Sequence, residues 1–390
     1  MPSQKTPFLR IAEDLGRQYE SYRSDAFSNR RFTSEQFHAC VDALAGGARE
    51  RPGIKIVGES FEGRPIRLIS VGKGDTCVLL WSQMHGDEST ATMAILDILN
   101  YLSKAPDQEC ASTILSSLAI HFLPMLNPDG AARHQRRTAQ GIDMNRDALA
   151  LSTPEARLLK DLRGTLNPEF GFNLHDQELS TVGGSKELTA ISLLAPAFNI
   201  EKSDNAVRTK AKQLASVFAQ TTGLFVPGKI ARYDDTFEPR AFGDNMQKWG
   251  TSTLLVESGH ALNDSEKNSI RRLNFTGILT SLYAIATGEY SSAGISVYEQ
   301  LPFNGKRAYD VIIRNVLIDH GSARTTPADL AISYQIDTHS GPSPRLVDAG
   351  DLHPFMGVRE IDGMKRKIPS ERITLGELFD WEELPAPGSL

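Results

Sequence analysis

Three cysteines in 390 residues, Cys40, Cys77 and Cys110, are too few and too scattered for a disulfide framework. None stands in a Cys-x-x-Cys pair of the sort a structural zinc prefers, so they read as reduced, mostly buried thiols. Cys77 opens an apolar run and reads as a packing residue rather than a nucleophile. No run of Lys and Arg is dense enough to track a phosphate backbone, and the formal net charge is -6 with a pI near 5.9. Nucleic acid is therefore not an expected partner. No stretch approaches the apolar length needed to span a bilayer, and the opening MPSQKTPFLRIAEDLG lacks the unbroken apolar segment of a secretory signal. The expectation is a soluble, cytoplasmic protein with no membrane partner; a chain trimmed of its signal would look the same. Internal repeats and low-complexity tracts are also missing.

What is present is an ordinary globular composition, 40% hydrophobic and 23% charged, enough for one large domain and a smaller one. Residues 1–53 read as a polar, helical lead-in with Phe32, Phe37 and Val41 as a sparse apolar face. From Ile54 the texture changes. IKIVGESFEGRPIRLISVG predicts two short strands around a Glu62-Gly63 turn, and the run from Cys77 to Trp81 predicts a strand buried on both faces. A helix over 89–102 and a strand over 118–125 follow, the strand ending in the turn Asn127-Pro128-Asp129-Gly130. Ser152-Thr153-Pro154-Glu155 is a capping box, which predicts a helix over 154–166. A strand over 170–174, a helix over 203–221, a strand over 252–256 and a helix over 264–287 complete the alternation. The fold class expected is α/β, with a mixed, mostly parallel central sheet covered by helices on both faces over residues 54–290. Beyond Tyr290 the pattern turns to strands, at 311–318 and in ADLAISYQID, where Leu330, Ile332, Tyr334 and Ile336 alternate with Asp329, Ser333, Gln335 and Asp337. Residues 291–390 are accordingly expected to form a small β-rich domain, whose role as packing module, oligomer contact or cover over a site stays open.

In α/β sheets, ligands collect outside the carboxyl ends of the strands. The polar residues there are Met84-His85-Gly86-Asp87-Glu88, His175-Asp176-Gln177-Glu178 and Glu257-Ser258-Gly259-His260. Two histidines and one glutamate are a documented ligand set for catalytic zinc, leaving a fourth position for water, and His85, Glu88 and His175 fit it. The spacing alone is ambiguous, because His175 and Glu178 repeat the His-x-x-Glu interval. His121, inside an apolar strand, reads as a structural histidine.

The ordered blocks MHGDE, NPDG, RRTAQGIDMNRD, NLHD and LLVESG, spread over about Ile54 to Thr287, resemble the zinc carboxypeptidase family. The resemblance implies a peptidase that binds one Zn2+ through His85, Glu88 and His175, with Glu178 outside the ligand set. It implies that Asn145 and Arg146 grip the substrate's terminal carboxylate, which suits the paired hydrogen bonds of a guanidinium. Arg136 matches the arginine that stabilises the oxyanion, with Arg137 as the neighbour it is confused with. Glu257 matches the glutamate that takes a proton from the zinc-activated water and passes it to the leaving amine. Tyr233 lies near the position of the family's mobile tyrosine. Two departures stand out: Asp147 follows the Asn-Arg pair where the family has an aromatic residue nearby, which predicts a more acidic or differently shaped pocket, and Arg240 and Asp244 either reach the substrate side chain or pair with each other. The partner expected is a peptide or acyl amino acid with a free carboxylate. An amidase or deacylase of the same architecture, acting on acyl amino acids or cell-wall peptides, is the close alternative, and a binding protein without turnover the distant one; oligomeric state is not legible.

Overall fold

The computed structural model describes residues 6–27, 29–337 and 341–385. They divide into two compact units. One contains the residues up to Gln177, Ala190–Ser258 and Glu266–Phe303; the other contains Glu178–Thr189, Gly259–Ser265 and the chain from Asn304 onwards. The division does not follow chain order, because strand β6 (Thr181–Val182) pairs with β10 (Asn304–Gly305) far along the sequence.

The first unit is built on eight strands: β1 (Gly53–Glu59), β2 (Pro65–Val71), β3 (Thr76–Ser82), β4 (Leu118–Leu123), β5 (Phe170–Asp176), β7 (Ile191–Leu194), β8 (Ile230–Arg232) and β9 (Ser252–Ser258). Their order is β1-β2-β4-β3-β5-β9-β7-β8. The centre is parallel, β4 on β3, β3 on β5 and β5 on β9, whereas β1, β2 and β7 join antiparallel. This is the mixed, mostly parallel sheet that the alternation of strands and helices predicts. Val78, Leu79, Leu80 and Trp81 of β3 are all fully buried, as a strand covered on both faces requires.

One helix starts where its capping chemistry directs it. Thr153 Oγ1 accepts the Ala156 N–H at 3.2 Å and Pro154 opens the helix, which runs Pro154–Leu166. The helix expected over 264–287 starts instead at Asn268, because Lys267 sits in the left-handed region with φ 52°. The NPDG block is not a plain turn. Asn127 caps a short helix, Pro128–Arg133, by accepting the Gly130 N–H at 2.9 Å. The N-terminal region forms helices Pro7–Tyr22 and Ser34–Gly47, and Phe27, Phe32 and Phe37 stack on one another and are buried. No helix among the described residues is long and apolar enough to cross a membrane.

The second unit is β-rich, as the sequence pattern predicts. Strands β11 (Ala308–Asp319), β12 (Thr325–Asp337), β13 (Gly341–Gly350) and β14 (Met356–Asp362) lie in the order β13-β12-β11-β14, and β15 (Lys367–Pro369) adds to β11. Leu330 and Ile332 are buried with Val311, Ile313, Val316 and Leu346, while Ala331 on the opposite face is covered by Leu352. The side chains of Ile336 and Asp337, and the chain ends 1–5 and 386–390, lie outside the described residues.

Candidate metal centre

His85 leaves the end of β3 in a tight loop whose shape depends on Gly86. A side-chain carbon there would meet the backbone of Gly130 at 2.0 Å, so the MHGDE and NPDG blocks pack backbone to backbone. Gln83 Nε2 donates to the Gly86 carbonyl at 2.8 Å and Asn127 Nδ2 to that of Met84 at 3.2 Å, fixing the loop from inside. His175 is the penultimate residue of β5. Its register partner on β9 is Glu257, so the two side chains rise from adjacent strands at the same level.

The three expected ligands come together. His85 Nδ1 is 2.7 Å from Glu88 Oε1 and His175 Nδ1 is 2.8 Å from Glu88 Oε2, with the imidazole centroids 4.9 Å apart. All three are buried, and among the described residues they form the one group of such side chains close enough to hold a metal ion, with ligand atoms within 4.8 Å of one another. Glu178, the competing glutamate, is exposed and belongs to the other unit. The donor set, two imidazoles and one carboxylate, suits catalytic zinc. The outer bond such a ligand needs is also present: His85 Nε2 meets Asp143 Oδ1 at 3.1 Å.

The electrostatics favour a cation. Burial opposes charge on His85, yet the Glu88 and Asp143 carboxylates raise it to about 9. Burial also opposes ionisation of Glu88, but the two imidazoles hold it well below the carboxylate range. Burial lowers His175. A field that pulls a proton onto a buried imidazole is one in which a divalent cation competes for the same nitrogen. Glu257 goes the other way: burial first, then repulsion from Glu88, pushes its carboxyl well above the ordinary value.

Arg136 lies against the cluster, with Nη1 3.0 Å from Glu88 Oε1 and Nε and Nη2 3.2 and 3.1 Å from Asp143 Oδ2. Arg137 turns away and donates to the Gly141 carbonyl, so the pair is distinguished by what each touches. Asn145 follows Asp143 in one short turn, and its Oδ1 accepts the Phe242 N–H at 3.0 Å. Arg146 stands 3.4 Å from Glu238, which also holds Arg240. Tyr233 follows β8, two strands from Glu257 and running away from the sheet end where Glu257 sits, roughly 10 Å across the sheet.

Two expectations change. Asp147 does not acidify a pocket: it is buried, and its carboxylate accepts the Ser152 N–H, the Thr153 N–H and the Thr153 hydroxyl, clasping the loop ahead of the next helix. Arg240 and Asp244 do not pair, since Arg240 is bound to Glu238 and buried Asp244 accepts the Glu238 N–H. His121 is structural, bonded to the Ser70 hydroxyl at 2.8 Å. Sequence reasoning passed over Asp143, although it lies inside the GIDMNR block two residues before Asn145.

The family model described as zinc carboxypeptidase matches residues 38–176. That span includes His85, Glu88, Arg136, Asn145, Arg146 and His175 but ends before Glu257. Carboxypeptidase 2 of Trichophyton rubrum is 29% identical over 160 residues, 40% of this chain and 29% of that protein. Carboxypeptidase B of Astacus astacus is 29% identical over 102 residues, 25% of this chain and 33% of that one. The chain thus spans about a third of the length of the curated relatives it matches. Among solved structures, a metallo-carboxypeptidase from Burkholderia cenocepacia superposes with a TM-score of 0.51 at 17% identity, over 65% of this chain and 70% of that one. The structure of bovine thrombin-activatable fibrinolysis inhibitor in complex with tick carboxypeptidase inhibitor gives 0.52 at 13% identity, over 70% of this chain and 99% of the matched chain. These two likenesses show the fold.

Proposed function

We propose, on the premise that this chain belongs through residues 38–176 to the zinc carboxypeptidase family, that it hydrolyses the last peptide bond of substrates with a free C-terminal carboxylate. The observation that carries the proposal is the convergence of His85 Nδ1, His175 Nδ1 and both Glu88 oxygens in a buried cluster, with Glu257 paired in register beside His175.

His85, Glu88 and His175 would hold one zinc ion, which when bound supplies Lewis-acid activation of a water and of the scissile carbonyl. The chain's own residues do the rest. Glu257 takes a proton from the attacking water and delivers it to the departing nitrogen as the C–N bond breaks. Its second cause of elevation is the charge on Glu88, so neutralising Glu88 returns Glu257 towards the anion that abstracts the proton. Arg136 keeps a fixed positive charge at the rim of the cluster, where negative charge on the carbonyl oxygen develops. Asn145, with its Oδ1 occupied by Phe242, has its amide NH2 end left to donate, and Arg146 offers its guanidinium to the terminal carboxylate in exchange for Glu238.

The test is metal dependence. An N-blocked dipeptide with a free carboxylate should be hydrolysed by the zinc-loaded chain, lose hydrolysis after chelation and recover it on adding zinc. A rate untouched by complete chelation would defeat the proposal.

A further inference from the structure

Asp176, the residue after His175, is the hub of a second polar cluster directly behind the ligands. Its side chain is 4% exposed, and its Oδ2 accepts three donors: Arg30 Nη2 at 2.9 Å, the Thr90 hydroxyl at 2.6 Å and Lys267 Nζ at 3.4 Å. Its own N–H donates to Glu88 Oε2 at 3.2 Å. Arg30 arrives from the N-terminal region, ahead of the family-matching span and 146 residues from Asp176. It also grips the loop that carries His85 and Glu88, since its guanidinium lies 3.4 Å from the Asp87 carbonyl and its own carbonyl accepts the Ser89 hydroxyl at 2.7 Å. Its N–H is held by Glu266, the neighbour of Lys267. Lys267 in turn donates to the Ser258 carbonyl, one residue beyond Glu257, at 3.1 Å.

Asp176 therefore ties together the His85–Glu88 loop, the end of β5 and the end of β9. Arg30 and Lys267 share the Asp176 carboxylate behind the ligand cluster, and buried charges persist only where each has a partner. Arg30 is not the N-terminal region's only tie, since Asp97 accepts the Tyr19 hydroxyl and the Ser24 N–H.

We infer that Arg30, acting with Lys267 through Asp176, is a positioning residue of the metal centre: it sets the spacing between the His85–Glu88 loop and His175. The inference rests on the reading of that cluster as a zinc site, and it makes the N-terminal region part of the active centre.

The full chain is stripped of metal, and zinc affinity is measured by competition with a chromophoric chelator, alongside a melting curve of each metal-free protein. Arg30→Ala should weaken zinc binding by about 10- to 100-fold, the usual effect of losing an outer support. Asp176→Asn should weaken it similarly, and Arg30→Lys, which keeps the charge, should fall between Arg30→Ala and wild type. Arg10→Ala, which removes an exposed pair with Glu109, should bind like wild type. Should Arg30→Ala fail to fold, the Asp176→Asn and Arg30→Lys affinities carry the test. Wild-type affinity in folded Arg30→Ala or Asp176→Asn, whatever the melting temperature, overturns the positioning role. A wild-type chain that binds no zinc overturns the metal reading beneath it, a result distinct from equal binding by wild type and variant.

Discussion

Glu88 and Glu257 are both buried glutamates at the same end of one sheet, yet their surroundings drive them apart: paired imidazoles keep Glu88 ionised, while burial and Glu88 itself favour the protonated form of Glu257. Pairs of carboxyls separated in this way divide into ligand and proton carrier. Glu257→Gln should therefore leave zinc binding intact while cutting turnover by about 10²–10⁴-fold, read by steady-state kinetics on metal-analysed protein. Arg146→Ala should act on KM, by roughly 10- to 100-fold, the equivalent of about 1.5–3 kcal/mol for a charge-assisted bond. Asp244 offers a test read by stability rather than turnover. Burial raises it from its ordinary 3.8 to about 7. Between those values the unfolded chain has released the proton and the folded chain has kept it, so stability falls as pH rises through that window and is level above it. Asp244→Asn keeps the acceptor for the Glu238 N–H and should remove that fall, gaining on the order of 2–4 kcal/mol at pH 8 by urea denaturation. At this scale the sequence reads well where a residue sits in an ordered block. His85, Glu88, His175 and Glu257 are named by the ordered blocks, spacing alone leaves Glu88 against Glu178 open, and the structure adds that Glu178 is exposed and that Arg137 turns to the Gly141 carbonyl. Arg30 carries no sequence signal, because its partner is far along the chain.

The elements explain why those residues meet. Parallel pairing of β3, β5 and β9 brings His85, His175 and Glu257 to one sheet end, and that much follows from buried strands alternating with helices. The sequence misread details where local and tertiary signals compete. NPDG looks like a turn because Pro and Gly favour turns, but Asn127 uses the same geometry as a helix cap. The long helix Asn268–Thr287 begins late because Lys267 is drawn out of helical geometry, its ammonium bound to Asp176 and Ser258. The buried pair Arg271–Asp97 joins that helix to helix Thr90–Lys104, and Asp97 further holds the Ser24 N–H and the Tyr19 hydroxyl. Asp97→Ala strands a fully buried guanidinium and should cost about 3–5 kcal/mol by chemical denaturation. A loss below 1 kcal/mol would mean that this pair does not anchor the N-terminal helices.

Across the molecule the formal net charge is -6, and Arg136 keeps a positive charge against the buried cluster. The grouping of loops 178–189 and 259–265 with the C-terminal strands was hidden in the sequence, since the pairing of Thr181–Val182 with Asn304–Gly305 leaves no local pattern. The central claim is that one zinc centre, served by Glu257 and by the carboxylate grip of Asn145 and Arg146, removes single C-terminal residues. It is tested most directly by incubating the zinc-loaded chain, and its Glu257→Gln variant, with matched peptides carrying free or amidated C-termini, and following the products by mass spectrometry. The account predicts stepwise loss of one residue from the free-acid peptides alone, absent in the variant. Equal cleavage of the amidated set, or an undiminished rate in Glu257→Gln, would contradict it.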